Sequence, residues 1–227
     1  MTGTAPAVTA TLRHLLLGAF SAAALCAAPA VCAPGQAAPA PLPPGFGELK
    51  ASHALASLAR RDRDPWGLAI AARLRLRAGA SGAVRAEAGE AHVEAADLRR
   101  EAEDWLDQAE RWGQGDPRLL SLVRDIRGEA PKGRLGGPRV STARLGGGGR
   151  HRYAEPFIAG VPAVVYLEGD GDAALGLTVS AANGRVACQQ AGEDAKLCAW
   201  TPRASETYQV EVANAGPVEA RYALGTN

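Results

Sequence analysis

The spacing of apolar residues divides the chain into two parts. Between about Gly47 and Gly128, apolar residues recur every third or fourth position, which is the repeat of amphipathic helices. Beyond Arg150, apolar and polar residues alternate in short runs separated by turns such as Asn183-Gly184, which is typical of an all-β sandwich. The pattern therefore predicts a small helical bundle followed by an all-β sandwich.

Two Asp-Pro pairs indicate where helices begin. Asp64 is placed to cap a helix whose first turn holds Pro65, and Asp116 and Pro117 repeat this arrangement. The repetition is compatible with tetratricopeptide-like hairpins, but the period is too long and the other marker residues are missing. An antiparallel bundle of three or four helices is the preferred interpretation, and a repeat array is the alternative.

The helical stripes also predict which residues form the core of the bundle. After Pro65, the predicted apolar face carries Trp66, Ala69, Ile70 and Leu74. The strongest helical pattern runs from about Gly89 to Trp112, with an apolar stripe on an otherwise charged surface. Since each lies on such a stripe, three tryptophans are predicted to be buried: Trp66, Trp105 and Trp112.

The beginning of the chain has the composition of a secretory signal peptide. Arg13 and His14 precede an apolar, alanine-rich stretch that ends with small residues near Ala33. A membrane anchor is the competing interpretation, but the stretch contains Pro29 and alanine contributes little to insertion. We expect cleavage, export to the periplasm or the outside, and no stable membrane insertion afterwards. The predicted organisation is a signal peptide at 1–33, a Pro/Ala-rich tether at 34–46, a helical domain at 47–128, a linker at 129–138 and a sandwich at 139–227.

Two cysteines, Cys188 and Cys198, lie beyond the predicted signal peptide. Oxidising compartments favour disulfides, so we predict that this pair is bonded. The spacing suits neighbouring strands of a hairpin. A zinc site is less favoured, because two cysteines without nearby histidines cannot complete a tetrahedral site.

Charge and motif content argue against two large classes of function. The chain has 25 basic and 24 acidic residues, without the concentrated basic face that nucleic-acid binding requires. His92 lacks the second histidine of a zinc-peptidase helix, and the sequence around Ser81 is not a nucleophile elbow. Acidic residues such as Glu101 and Asp104 alternate with arginines at salt-bridge spacing, which indicates a solvated helix face. We therefore expect neither nucleic-acid binding nor catalysis.

The stretch from about Ser141 to Asn227 contains a series of recognisable segments. The series begins with Tyr153 and Phe157 before "AGVPAVVYLEGDGD", then "LGLTV" and the Asn183-Gly184 turn, and continues through "WTP", "VEVANAG" and "RYALGTN". In this order, the segments resemble the bacterial pre-peptidase C-terminal domain, a jelly-roll-like sandwich of exported proteins. The helical part resembles no family that its residues identify.

This resemblance implies a calcium site near the "GDGD" turn, where related domains place carboxylates. The chain keeps Asp170, Asp172 and Asn183, with Glu168 and backbone carbonyls nearby. It departs from the family pattern at Ala174, Gly176 and Ala181, where Asp is favoured. Because calcium takes about six to eight oxygen ligands, the remaining residues predict a weak site at most, and a retained turn is the preferred interpretation.

Two functional hypotheses follow. The first is an exported, non-catalytic binding or accessory protein with an unidentified protein or glycan ligand and no cofactor beyond weakly bound calcium. The alternative is an envelope assembly or adaptor protein that binds a protein partner through tetratricopeptide-like helices.

Overall fold

The computed structural model describes residues 42–84, 93–129, 137–192 and 195–227. The predicted signal peptide and most of the predicted tether lie outside these ranges. The helices are α1 (Phe46–Asp62), α2 (Pro65–Arg77), α3 (Leu98–Trp112) and α4 (Pro117–Gly128). The strands are β1 (Ser81–Gly82), β2 (Glu94–Ala95), β3 (Arg139–Leu145), β4 (Arg150–Phe157), β5 (Ala163–Gly169), β6 (Leu175–Ser180), β7 (Val186–Gly192), β8 (Lys196–Trp200), β9 (Glu206–Asn214) and β10 (Ala220–Thr226).

Both Asp-Pro pairs begin helices, as predicted. The Asp64 carboxylate accepts a hydrogen bond from the Trp66 backbone N–H at 3.0 Å, and Asp116 accepts one from Arg118 at 2.9 Å. The prediction that the helix ending at Trp112 starts near Gly89 was wrong, because Glu94 and Ala95 form strand β2 and α3 begins at Leu98. None of the helices in the described ranges has the length and apolar character needed to cross a membrane.

Strands β3 to β10 form a jelly roll, which confirms the predicted fold class. Sheet 1 has the order β3-β10-β5-β8, and the short strands β1 and β2 pair with the outer edge of β3. Sheet 2 has the order β4-β9-β6-β7. Pairing among β3 to β10 is antiparallel throughout, and successive strands pass between the two sheets except at the β6–β7 hairpin.

The two sheets enclose one apolar core. Along β6, Leu175, Leu177 and Val179 point inward while the residues between them are partly exposed, so the strand alternates as predicted. The core is completed by inward residues of the other strands, among them Tyr153, Val165, Leu167, Tyr208, Val210, Val212, Tyr222 and Leu224.

Sheet 1 is also covered on its other face, by the helices. Every residue of β5 from Ala163 to Glu168 is buried, as expected for a continuous apolar run with no polar alternation. Val164 and Tyr166 pack against Phe46 and Leu49 of α1. The helices and the sandwich therefore form adjoining layers, and all described residues belong to one compact unit.

The three tryptophans that were predicted to lie in the core differ in how deeply they are buried. Trp105 is 3% exposed in the helical core, and Trp112 packs against the same core. The prediction for Trp66 was wrong, since its side chain is 41% exposed and Ile70 is 37% exposed. The side of α2 that faces its neighbours is instead formed by Leu68, Ala69, Ala71, Ala72 and Arg75.

The predicted disulfide between Cys188 and Cys198 is present, but its structural setting differs from the prediction. Cys188 lies on β7 at the edge of sheet 2, and Cys198 lies on β8 at the edge of sheet 1. The prediction that the two cysteines lie on neighbouring strands of one hairpin was therefore wrong. The Gln190 side chain reinforces this link by accepting from the Leu197 N–H at 3.1 Å and donating to its carbonyl at 3.0 Å.

Reduction of this disulfide is expected to lower the free energy of unfolding by about 2–4 kcal/mol, because it releases a constraint on the unfolded chain. Urea denaturation of the native chain with and without reductant measures the effect. The Cys188→Ala/Cys198→Ala variant should match the reduced native chain and show no response to reductant. Equal stability of the oxidised and reduced native chain would contradict this expectation.

Candidate functional site

A polar cleft of about 600 Å³ lies between the helices and sheet 1. One wall is formed by α1, where His53, Ser57 and Arg60 share a face because they are one turn apart. The remaining walls of the cleft are formed by α3, by the end of β5 and by the beginning of β10. They include Asp97, Arg100, Glu101, Asp104, Trp105, Glu168, Asp170, Arg221 and Tyr222.

The floor of this helix–sheet cleft is a buried ion pair between Arg75 of α2 and Glu168 of β5. Arg75 is 2% exposed and Glu168 is 5% exposed. The Arg75 Nη1 donates to Glu168 Oε2 at 3.0 Å and Nη2 donates to Oε1 at 2.7 Å. This bidentate geometry uses both carboxylate oxygens and fixes the orientation of the two groups.

Three further side chains complete the buried cluster. The Tyr166 hydroxyl donates to Glu168 Oε2, and His53 Nδ1 lies 3.3 Å from the same oxygen. The Glu101 carboxylate of α3 lies 3.3 Å from Arg75 Nη2. The cluster therefore connects α1, α2, α3 and β5 at a single point.

Trp105 forms the side of the cluster that faces α1 and α2. The guanidinium carbons of Arg75 and Arg60 lie 4.7 Å and 4.8 Å from the centre of its ring. Both distances are within the range of a cation–π contact. Because two guanidinium groups lie over the indole, Trp105 acts as a packing partner and offers little open surface for stacking a ligand.

Burial and neighbouring charges set the protonation states in the cleft. Burial opposes ionisation of Glu168, but the Arg75 guanidinium outweighs it and holds the pKa of Glu168 below its usual value. Burial lowers the pKa of His53 even though Glu168 acts in the opposite direction, so the imidazole is neutral at pH 7. Burial also raises the pKa of Glu101, despite the nearby Arg75.

The sequence pattern does not predict most of this cluster. It places Glu168 only beside a candidate calcium site, and Glu101 on a solvated helix face. The signals were nonetheless present: Arg75 stands in the apolar stretch "LAIAARLRLR", and Glu168 ends the apolar run "AVVYLE". A charged residue in such a run requires a partner of opposite charge if the run is buried.

The structure separates the residues that were predicted to bind calcium. Asp170 Oδ2 accepts the Arg221 N–H at 2.8 Å, and Asp170 Oδ1 accepts the Asp172 N–H at 3.3 Å. Asn183 lies beyond the other end of β6, about 20 Å away by the rise of a six-residue strand, where it accepts the Arg185 N–H at 3.0 Å.

Among the described residues there is no group of three or more His, Cys, Asp or Glu side chains arranged to hold a metal ion. The Gly171 backbone has φ 95°, a conformation that favours glycine and suits a sharp turn. Weak calcium binding by Asp170 and Asp172 stays a prediction.

No protein-family model matches this chain, and no curated protein matches it. The resemblance of residues 141–227 to the pre-peptidase C-terminal domain therefore stays a prediction, whereas the jelly-roll-like sandwich is established by the order of the strands.

Solved structures give matches to part of the chain. The match to the Yersinia pseudotuberculosis-derived mitogen covers 40% of this chain and 84% of that one, with 11% identity and a TM-score of 0.35. A de novo designed double-stranded β-helix matches over 39% of this chain and 99% of its own, with 8% identity and a TM-score of 0.28. The C-terminal CBM6 of LamC, a laminarinase from Zobellia galactanivorans, matches over 38% and 80%, with 10% identity and a TM-score of 0.27. Similarities at this level carry no argument about function.

Arg75→Met is expected to lower the free energy of unfolding by about 3–5 kcal/mol, because it leaves the buried Glu168 carboxylate without its cation. The matched control is Arg73→Met, two residues away, which removes an ion pair with Glu129 whose side chains are both 39% exposed. That change should cost less than about 1 kcal/mol. Urea denaturation measures both, and equal effects of the two changes would contradict a buried role for Arg75.

His53 is expected to make stability depend on pH. Because its pKa is lower in the folded protein than in the unfolded chain, protonation favours unfolding, and stability declines as the pH falls from about 7 through the unfolded pKa of about 6.5. His53→Gln should remove this contribution. The difference in unfolding free energy between native protein and variant should therefore shrink as the pH is lowered from 7.5 to 5 in steps of about 0.5. A difference that stays constant across this range would contradict the expectation. Glu101, whose raised pKa makes stability depend on pH in the opposite sense, is present in both proteins, so its contribution cancels in the difference.

Proposed function

We propose that this chain is an exported, non-catalytic binding or accessory protein whose ligand occupies the helix–sheet cleft. The observation that carries the proposal is a polar cleft of about 600 Å³ above a buried charged cluster. This volume lies within the range of about 300–1,000 Å³ found for small-molecule sites.

The buried cluster gives the cleft a preorganised floor. Arg75 is held by two hydrogen bonds to Glu168 and by the Trp105 ring, so its side chain is ordered before any ligand arrives. Side chains that are already ordered lose less conformational entropy on binding, which favours affinity. A floor shared by three helices and a strand also keeps the cleft walls at a fixed separation.

The arrangement around His53 supports a non-catalytic role. Ser57 lies one turn after His53 on the same face of α1, and both line the cleft. An activated serine requires a base within hydrogen-bond reach, and in the described part of the chain Ser57 and His53 form no such bond. The imidazole Nδ1 faces Glu168 instead, as part of the buried cluster.

Export is supported by the disulfide, since such bonds persist in oxidising compartments. The composition of residues 1–33 adds to this support. We place the protein in the periplasm or outside the cell, with the sandwich as an accessory module related to the pre-peptidase C-terminal domain. Its partner is a protein or glycan-type ligand, without nucleic acid.

A role as an envelope adaptor is the second candidate. It is favoured by Trp66 and Ile70, which are exposed one turn apart on α2. Exposed apolar residues on a helix are suited to contact with a protein partner. This role predicts that Trp66→Ser abolishes co-purification with a partner and leaves the cleft unaffected.

Filling the cleft tests the proposed function. Ser57→Trp adds a bulky side chain to an exposed position of the cleft wall, and Ser121→Trp adds the same side chain to an exposed position of α4. Full-length protein would be screened by thermal unfolding against oligosaccharides, short peptides, carboxylates and sugar phosphates. A ligand present at a hundredfold its Kd adds about 2.7 kcal/mol, which corresponds to a rise in Tm of roughly 5–10 °C at this chain length.

We expect at least one ligand class to raise the Tm of the native protein and of Ser121→Trp, with no effect on Ser57→Trp. An equal rise in all three proteins would place the ligand elsewhere. The absence of a response to any class would contradict the proposal.

A further inference from the structure

We propose that the ligand of the helix–sheet cleft is anionic, and that Arg60, Arg100 and Arg221 bind its carboxylate or phosphate oxygens. This inference rests on the proposed function, because it names the chemical class of the molecule that the cleft receives.

The three arginines approach the cleft from different elements. Arg60 extends from α1, Arg100 from α3 and Arg221 from β10. Within the described residues, none of their guanidinium groups forms a salt bridge with a carboxylate. Arg75 below them differs, because both of its terminal nitrogens donate to Glu168. The cleft therefore presents three guanidinium groups that remain available for charge-assisted hydrogen bonds to an anionic ligand.

The acidic residues of the cleft are largely committed to the protein itself. Asp97 accepts the Arg100 backbone N–H at 2.9 Å as the cap of α3, and Asp170 accepts the Arg221 backbone N–H at 2.8 Å. Glu168 is paired with Arg75, and Glu94 also has a partner. Asp104 is an exposed residue of the cleft lining. Among the groups that can still bind a ligand, the guanidinium donors therefore outnumber the carboxylate acceptors.

Arg60 is the best placed of the three donors. Its guanidinium lies over the Trp105 ring, which restricts the side chain and leaves its N–H edge available. Burial lowers the pKa of Arg60 even though Glu101 opposes the shift, so its charge is incompletely compensated within the protein. A carboxylate or phosphate would supply that compensation and match the planar fork of the guanidinium.

Glu101 is the group that acts against an anion in this cleft. Its side chain is 39% exposed and lies beside Arg75, so an ionised Glu101 would repel an incoming anion. Burial raises the pKa of Glu101, which makes protonation at this position easier than in water. An anion bound nearby would raise that pKa further, so binding should strengthen as the pH is lowered.

The test uses full-length protein labelled with 5-fluorotryptophan and observed by fluorine NMR. The chain has four tryptophans, so the Trp105 signal is assigned from the variants Trp66→Phe, Trp112→Phe and Trp200→Phe. The probes are citrate for the carboxylate class, glucose 6-phosphate for the phosphate class and glucose as the neutral counterpart, at matched ionic strength. We expect citrate or glucose 6-phosphate to move the Trp105 signal and glucose to leave it unchanged, and the responding probe identifies the class.

Arg60→Gln/Arg221→Gln should weaken binding of the responding probe at least tenfold. The matched control, Arg111→Gln/Arg203→Gln, removes two exposed arginines outside the cleft lining and should keep the affinity within twofold. Unchanged affinity in the cleft variant, or an equal response to glucose, overturns the proposal.

The proposal is also overturned if neither citrate nor glucose 6-phosphate moves the Trp105 signal. The proposed function would still stand if a neutral oligosaccharide or peptide from the thermal screen moved the Trp105 signal. If no probe of any class did so, both the ligand class and the proposed function would fail.

Discussion

The packing of the helices on sheet 1 depends on the ion pair between Arg75 and Glu168. Moving two charges out of water is costly, and this cost is recovered only when the partners meet in good geometry with their remaining hydrogen bonds satisfied. Here the bidentate contact, the Tyr166 hydroxyl and Glu101 provide partners for both Glu168 oxygens and both terminal nitrogens of Arg75. Arg75 Nε is buried without a hydrogen-bond partner among the described residues, so the requirement is met in large part but not completely. The position of α2 on β5 is restricted accordingly, because a shift of either element would leave a buried charge unpaired.

The cleft follows from this arrangement. Elsewhere along sheet 1 the helices bury apolar residues such as Phe46 and Leu49 against Val164 and Tyr166. At the end of β5 the buried surface becomes polar, and the walls of α1 and α3 carry charged residues that apolar packing cannot cover. A ligand-sized space lined by ordered polar groups results, beside a jelly roll whose own core lies between its two sheets.

The features that were predicted correctly are those that depend on neighbours in the sequence. Asp64 and Asp116 cap their helices because the cap bonds span two residues. The alternation along β6 and the Asn183-Gly184 turn likewise follow from local geometry. Two of the errors concern packing between elements: Trp66 is exposed because α2 turns its alanine-rich side inward, and the disulfide joins two sheets instead of two paired strands. The third error, the start of α3, arises because Glu94 and Ala95 pair with β3 as strand β2.

By itself, the sequence determined the starts of α2 and α4, the strand alternation, the all-β class of the second part of the chain and the pairing of Cys188 with Cys198. These depend on side-chain periodicity and on chemistry that acts over short stretches of chain. The tertiary structure alone decided the candidate site, because Arg75 and Glu168 are 93 positions apart and their partners come from two further helices. No local pattern encodes such a meeting, since it depends on how the helices cover the second face of sheet 1.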